Sequence, residues 1–377
     1  MPHLVVFSHL RWEFVFQRPQ HLLSRLSRHF PVVVVEEPLH TSGPSRLERL
    51  SPCDGVEVLR PHTPVNAGGF HDDQLAAMQP LISAYLGENR IDDYVVWFYT
   101  PMALPLLGDL APRAVVYDCM DELANFRFAP PDLPAREATL LGAADLVFTG
   151  GYQLFTRKQR HHRNVHLYGC GVDLAHYGKA RDPETQIPAD IASLPRPILG
   201  YFGVIDERLD YGLIESLARA FDSGSVVMIG PCAKVDPATL PVRPNLHWLG
   251  QRDYADLPAY TKGFDACLMP FALNDATENI NPTKTLEYMA AGKPVISTAV
   301  ADVVRHFAPI VQVGDTHKEF IALAAQACSQ PDAELIARGI KRAGGATWDA
   351  IVEAMREHVL AAVRSRQAIA PGLVATS

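Results

Sequence analysis

Six cysteines in 377 residues (Cys53, Cys119, Cys170, Cys232, Cys267 and Cys328) stand alone, with no CxxC pair and no histidine at metal-ligand spacing beside them. That pattern suggests neither a zinc site nor a disulfide framework, and the thiols are expected to be reduced and mostly buried. Positive charge is also scarce: 34 Lys and Arg against 42 Asp and Glu give a net charge of −8. An extended basic face for nucleic acid is therefore excluded, while a local basic pocket for a diphosphate is not. Apolar runs such as 32–35 and 290–294 fall far short of the roughly 20 residues that a membrane-spanning helix needs. The first residues, MPHLVVFSHLRWEF, enter a strand pattern at once and lack the basic start, long apolar stretch and small-residue cleavage site of a secretory signal. A cytoplasmic address is expected, with peripheral contact at the inner membrane face left open. No Asp-x-Asp pair of the kind that chelates a divalent ion occurs anywhere in the chain. Nor does either candidate first strand lead into Gly-x-Gly-x-x-Gly, since the segments read FSHLRW and GYFGVID, which disfavours a dinucleotide-dependent oxidoreductase.

What is present is the material of two folded domains. Hydrophobic residues make up 48% and charged ones 20%, a globular balance, and the length suits two cores rather than one. Short β-branched runs at 4–7, 32–36, 56–60, 94–98, 114–118, 146–149 and 165–168 read as strands, with amphipathic stretches at 17–28, 72–86 and 154–161 between them. A second series of strands is expected at 198–202, 225–229, 245–249, 266–269, 295–297 and 310–313. Strand and helix in alternation imply α/β architecture: two Rossmann-like, doubly wound parallel-sheet domains. Their strand ends would face an interdomain cleft, where ligands collect. Between the two series, composition shifts to Pro, Asp, Lys and small residues. The expected division is an N-terminal domain at 1–175, a linker at 176–196 and a C-terminal domain at 197–347. A helix at 348–366 would pack back towards the N-terminal domain, before a disordered tail at 367–377.

The most informative segment is NDATENINPTKTLEYMAAGKPVIST at 274–298. Asn281 suits an N-cap, Pro282 the first helical position and Gly292 the stop, with Pro294 just beyond, so a helix is expected over 282–291. Its start would present free N–H groups and a positive dipole end to an anion such as a diphosphate. Lys284 and Glu287 are three apart and share a face, which places an ammonium near phosphates and a carboxylate one turn deeper, where ribose hydroxyls could be gripped. A salt bridge on a solvated helix is the plainer alternative.

The run TKTLEYMAAGKPV at 283–295 resembles the nucleotide-binding helix of retaining GT-B glycosyltransferases, family four and its relatives in the group 1 superfamily. Their pattern is a carboxylate, seven residues, a second Glu and then Ala-Ala-Gly-Lys-Pro-Val. CGVDLAHY at 170–177 resembles the family's hinge signature, and NLHWLGQRDYADLPAYTKGFDACLMP at 245–270 its base-binding strand and helix. The resemblance implies that Glu287 binds the nucleotide ribose. The first carboxylate, a sugar contact in the family, aligns on Asn279 with Glu278 beside it, so either Glu278 takes that role or Asn279 and backbone amides do. The family carries an Arg and a Lys for the diphosphate in the loop GYFGVIDERLD at 200–210, which contains Gly203. Here only Arg208 is basic, Val204 stands where the Arg is expected, and Lys284 would make up the missing charge. A guanidinium pairs with phosphate through two hydrogen bonds; a surface pairing of Arg208 with Asp206 or Asp210 is the alternative. The base is expected against Gly230 and Pro231 and the turn at Gln251 and Arg252. Thr283, opening the helix, completes the expected donor contacts.

For an acceptor, the loop after the first strand offers His9, Arg11 and Trp12, and Arg18 opens the next helix. Trp12 could stack on a sugar or serve as a packed lid. The fifth strand ends in Asp118, Asp121 and Glu122, any of which could orient or deprotonate an acceptor hydroxyl, or else cap a helix and solvate a loop. Sugar transfer passes through an oxocarbenium-like state while charge builds on the diphosphate, so Arg208 and Lys284 are the expected leaving-group catalysts, in place of a metal. The resemblance implies retention, with a donor phosphate oxygen taking the acceptor proton. The expected function is transfer from a nucleotide-diphosphate sugar to a saccharide or lipid-linked acceptor in cell-surface polysaccharide or glycoconjugate synthesis, with no cofactor and no metal. A sugar-nucleotide epimerase and a catalytically silent nucleotide-sugar-binding protein are the competing readings.

Overall fold

The computed structural model of the chain describes residues 1–369. It divides into two compact units: residues 1–124, 128–168 and the chain from 349 on form unit 1, and residues 125–127 and 169–348 form unit 2.

Unit 1 is built on nine strands: β1 His3–Ser8, β2 Val32–Glu36, β3 Leu39–His40, β4 Arg46–Cys53, β5 Val56–Thr63, β6 Tyr94–Phe98, β7 Val115–Cys119, β8 Leu146–Thr149 and β9 Val165–Leu167. Their order across the sheet is β3-β5-β2-β1-β6-β7-β8-β9, with β4 antiparallel on β5 and every other pairing parallel. The central strands show no alternation of apolar and polar residues because both faces are covered: Leu4, Val5, Val6 and Phe7 are all fully buried. The exposed hairpin strand β4 is not legible in RLERLSPC, whose charges and proline hide it. Its one signal is the Asp54-Gly55 turn, where Gly55 takes φ +73°.

Unit 2 has six parallel strands: β10 Ile198–Phe202, β11 Ser225–Ile229, β12 Leu246–Gly250, β13 Ala266–Met269, β14 Val295–Thr298 and β15 Gln312–Gly314. Their order is β12-β11-β10-β13-β14-β15, a doubly wound sheet that reverses direction between β10 and β13.

Two boundaries differ from expectation, as does the burial of the cysteines. The supposed linker at 176–196 is folded into unit 2: it runs through the helix Leu174–Tyr177 and single turns at Gly178–Arg181 and Ala189–Ala192, with Ile191 fully buried and Arg181 Nε donating to the Ala290 carbonyl at 3.0 Å. Its prolines mark the lack of a ladder; Pro183 and Pro195 are exposed and Pro188 is half-buried, while the chain between them is anchored. The terminal helix Trp348–Ile369 runs into the stretch expected to be a tail, of which 370–377 lie outside the described residues. Of the cysteines only Cys119 and Cys267 are buried, Cys170 and Cys328 are half-buried, and Cys53 and Cys232 are exposed. No helix among the described residues is long and apolar enough to cross a membrane.

The terminal helix buries Val352, Met355, Val359 and Ala362, one stripe at helical spacing, and Asp349 receives Arg25 and Arg28 of unit 1. Burying each of the three larger side chains contributes about 1.5–3 kcal/mol, so together they rival the net stability of a domain. A chain stopped after Trp348 is expected to lose residues 1–168 to limited proteolysis at protease levels the full chain withstands. Equal resistance would show that the helix is dispensable.

Candidate active site

The reversal between β10 and β13 leaves their following loops, 203–210 and 270–283, side by side at the carboxyl edge of the unit 2 sheet, with the loop after β11 alongside. These loops are laced together: Ile205 N–H donates to the Pro231 carbonyl at 2.9 Å, Asp210 N–H to that of Pro270 at 2.9 Å, and Ala272 N–H to that of Arg208 at 2.8 Å.

Two glycines make the lacing tight. Gly230 has φ +147°, and a Cβ there would lie 1.8 Å from the Gly203 carbonyl oxygen. Gly203 has φ +146°, and a Cβ there would lie 2.1 Å from Cε of Lys284. The lysine thus occupies the space a side chain at 203 would fill. Its ammonium stands 5.7 Å from the centre of the Tyr201 ring, and among the described residues it is in no hydrogen bond or ion pair. Burial lowers the Lys284 pKa, against the pull of Glu287 and helped by nearby Arg208. Glu287, 5% exposed, is pushed up to about 7 by burial, while Lys284 and hydrogen bonds with Thr283 and Tyr177 act the other way.

The helix holding these residues runs Lys284–Ala290, later and shorter than expected. Neither Asn281 nor Thr283 caps it by a side chain, and the amides of Thr285, Leu286 and Glu287 already bond to the carbonyls of Pro282 and Thr283. Fewer free amides therefore face the preceding loop, and more of the positive charge there comes from the lysine. The helix stop is as expected. Gly292, φ +73°, donates to Met289, and Lys293 donates back to Tyr288 at 3.1 Å. CGVDLAHY also closes on this region: Asp173 caps its short helix and the Cys170 thiol bonds the Asn281 carbonyl at 3.0 Å.

Of the two candidates for the sugar contact, Glu278 is exposed and Asn279 is 2% exposed. Both side-chain polar atoms of Asn279 lack a hydrogen-bond partner among the described residues. A buried amide left so costs on the order of 1–3 kcal/mol, which marks a position awaiting a partner. Arg208 donates to both oxygens of Asp206, 2.6 Å at the shortest, so the pairing set against a phosphate role is real, although it is not at the surface: Asp206 is buried. The Arg252 side chain is engaged by Tyr260, Asp190 and the Leu249 carbonyl, and is a structural clamp rather than a donor contact; Gln251 is exposed beside it.

In unit 1 most of the expected acceptor residues are engaged elsewhere. Arg18 donates to Asp118 at 2.9 Å and to the Tyr168 carbonyl at 2.7 Å, with side chains 3% and 0% exposed. Enclosed in that pair, Asp118 is no base for an acceptor and Arg18 no acceptor contact. Arg11 ties the loop after β1 to Glu36 and to the Glu37 and Pro38 carbonyls, and the Trp12 amide donates to Glu36 at 2.7 Å. Glu122 shares the buried Lys158 ammonium with Glu137, at 2.9 and 2.8 Å. These four side chains hold unit 1 together. His9, the Trp12 ring and Asp121 are half-buried. Among the described residues no three His, Cys, Asp or Glu side chains gather as a metal cluster.

Residues 196–330 match the family described as Glycosyl transferases group 1. A Bacillus subtilis (strain 168) protein assigned to teichuronic acid biosynthesis as a glycosyltransferase is 24% identical over 274 residues, covering 67% of this chain and 68% of that one. Among solved structures, sucrose-phosphate synthase from Thermosynechococcus elongatus superposes with TM-score 0.72 at 16% identity, over 98% of this chain and 100% of that chain. An α,α-trehalose 6-phosphate synthase from Burkholderia multivorans does so with TM-score 0.67 at 13% identity, over 100% and 99%.

The Arg18–Asp118 pair separates a structural role from a chemical one. Asp118→Ala leaves a buried guanidinium unpaired and is expected to cost about 3–5 kcal/mol, read as a lowered Tm without ligand. A variant as stable as the parent but devoid of turnover would restore Asp118 as a base.

Proposed function

We propose that this glycosyltransferase, a chain of GT-B fold carrying a group 1 domain, transfers a sugar with retention from a nucleoside-diphosphate donor held on unit 2, without a metal ion. The observation that carries the proposal is the Lys284 ammonium, held against the backbone at Gly203 by the absence of a side chain there and lacking any protein hydrogen bond or ion pair among the described residues. A cation held unsatisfied in a half-buried position is suited to the charge that grows on a departing diphosphate, the task a metal would otherwise perform.

Around it the remaining contacts follow. Glu287, one turn on, accepts hydrogen bonds from ribose hydroxyls, with Thr283 beside it. The unpartnered amide of Asn279, able to donate and accept, meets the sugar hydroxyls in place of a carboxylate. Backbone at Gly203, Gly230 and Pro231 and the turn at Gln251 surround the phosphates and base. Arg208, oriented by Asp206, lends longer-range positive charge. On unit 1, His9, Trp12 and Asp121 are the acceptor contacts, with Trp12 giving a stacking face for a saccharide or lipid-linked sugar. The Bacillus subtilis relative supports a place in cell-surface polysaccharide synthesis.

Thermal shift with UDP-, GDP-, ADP- and TDP-sugars tests the donor assignment. One nucleotide is expected to stabilise the protein by about 2.7 kcal/mol at a hundredfold excess over Kd, and Lys284→Ala to remove most of that shift. No shift with any of the four rejects the assignment.

The pH dependence carries its own sign. Ribose hydroxyls donate to an ionised carboxylate, and Glu287 is raised to about 7, so binding below that value must first expel a proton. Nucleotide affinity is expected to rise about tenfold from pH 6 to pH 8, and Glu287→Gln to bind weakly with a flat profile. An unchanged slope in that variant, measured by titration calorimetry, would assign the dependence elsewhere.

A further inference from the structure

Residues 125–127 leave unit 1 in sequence and count with unit 2, where three residues touch all three loops of the donor end. Asn125 Nδ2 donates to the Asp275 carbonyl at 3.0 Å, in the loop after β13. The Arg127 amide donates to Glu207 Oε1 at 3.2 Å, in the loop after β10. Its guanidinium Nη1 donates to the Lys234 carbonyl at 3.3 Å, in the loop after β11. Between these two residues sits Phe126, half-buried, with the Lys234 ammonium 5.0 Å and the Arg208 guanidinium carbon 5.6 Å from its ring centre.

Two cations gathered at one aromatic ring need an offset to their repulsion. Arg208 and Lys234 repel each other, and the negative face of the ring supplies part of that offset. Lys234 is itself held in a posture that lysine rarely takes: its φ is +59°, in the left-handed region, and the bond from Arg127 to its carbonyl fixes it there. Its exposed ammonium has no hydrogen bond or ion pair among the described residues. Arg208 in turn lies close enough to Lys284 to depress its pKa. Arg208, from the loop after β10, and Lys234, from the loop after β11, thus share one ring, and of the two only Arg208 is balanced by a carboxylate, that of Asp206.

We propose that Phe126 is a positioning residue of the donor site, its ring holding Arg208 and Lys234 so that Lys234 joins Lys284 in receiving the diphosphate of a nucleoside-diphosphate donor. The proposal rests on the donor assignment made above. It adds a cation from the loop after β11 and an aromatic residue from the N-terminal half of the sequence, neither of which the nucleotide-binding helix contains. It also accounts for the basic residue missing at Val204: the second positive charge is supplied from a different loop and kept in place by a ring rather than by a carboxylate, which would neutralise it.

The test is titration calorimetry on the full chain with the nucleoside diphosphate that binds best and with the matching nucleoside, for Phe126→Leu, Phe126→Tyr and Lys234→Met. Leucine keeps the apolar packing and loses the ring, so Phe126→Leu is expected to weaken the diphosphate about tenfold and leave the nucleoside within twofold, while Phe126→Tyr stays near the parent. Lys234→Met is expected to weaken the diphosphate several-fold and to flatten the dependence of affinity on salt, as loss of one ionic contact does. Leucine and tyrosine variants that behave alike would overturn the role of the ring, as would equal weakening of nucleoside and diphosphate, which would mean that the segment only packs. Parent-like diphosphate binding by Lys234→Met would remove the lysine from the site. A parent protein that binds none of the nucleoside diphosphates rejects the donor assignment and this proposal with it, whereas a parent that binds and an unaffected Phe126→Leu rejects this proposal alone. Should Phe126→Leu melt before the titration temperature, Lys234→Met, at an exposed position, decides.

Discussion

The aliphatic stem of Lys284 lies where the side chain of residue 203 would be, and the donor end of unit 2 depends on that exchange. It is the second of two such substitutions of space: the carbonyl of Gly203 fills the place of a side chain at 230, and Lys284 fills the place of a side chain at 203. Loop, loop and helix are thereby brought closer than any residue with a Cβ would permit. One consequence is electrostatic. A lysine and a glutamate pressed this far from water are each pushed towards neutrality, and each is partly restored by the other. The pair is poised to gain from a ligand that brings its own charge and hydroxyl groups.

Unit 1 shows the contrary use of charge. Glu36, fully buried at the end of β2, accepts from Arg11, Arg60 and the Trp12 amide. Asp118 at the end of β7 takes Arg18, and Lys158 is shared by Glu122 and Glu137. Each carboxylate is matched by a donor from a neighbouring loop or helix, as burial of a charge requires. Strand ends in a doubly wound sheet are where ligands bind, but they are also where loops of opposite charge must be pinned down. What distinguishes the two is saturation. The buried ion pairs of unit 1 have partners on the protein, while Lys284 and Asn279 in unit 2 do not.

The alternation of β-branched runs with amphipathic stretches makes the strands of both sheets legible, because parallel strands covered on both faces must be continuously apolar. The exposed hairpin β4 is not, since an edge strand has no face that needs to be hydrophobic. The prolines of 176–196 read as a linker because they forbid a sheet ladder, yet Ile191 and Arg181 anchor the same stretch against unit 2. In the site, Lys284 and Glu287 are evident from helical spacing, and Gly292 from its stop. Lys234 and Phe126 carry no such signal. They lie more than a hundred residues apart, and only a ring between two cations relates them.

By itself the sequence determined the α/β class, the two series of strands, and the placing of an ammonium and a carboxylate on one face of a short helix, because each of these follows from the period and residue type of neighbours along the chain. Tertiary structure alone decided which charges are consumed by the fold and which are left for a ligand. That choice depends on what faces each group across loops distant in sequence, and on how much water the packing removes from it, neither of which leaves a periodic trace in the chain.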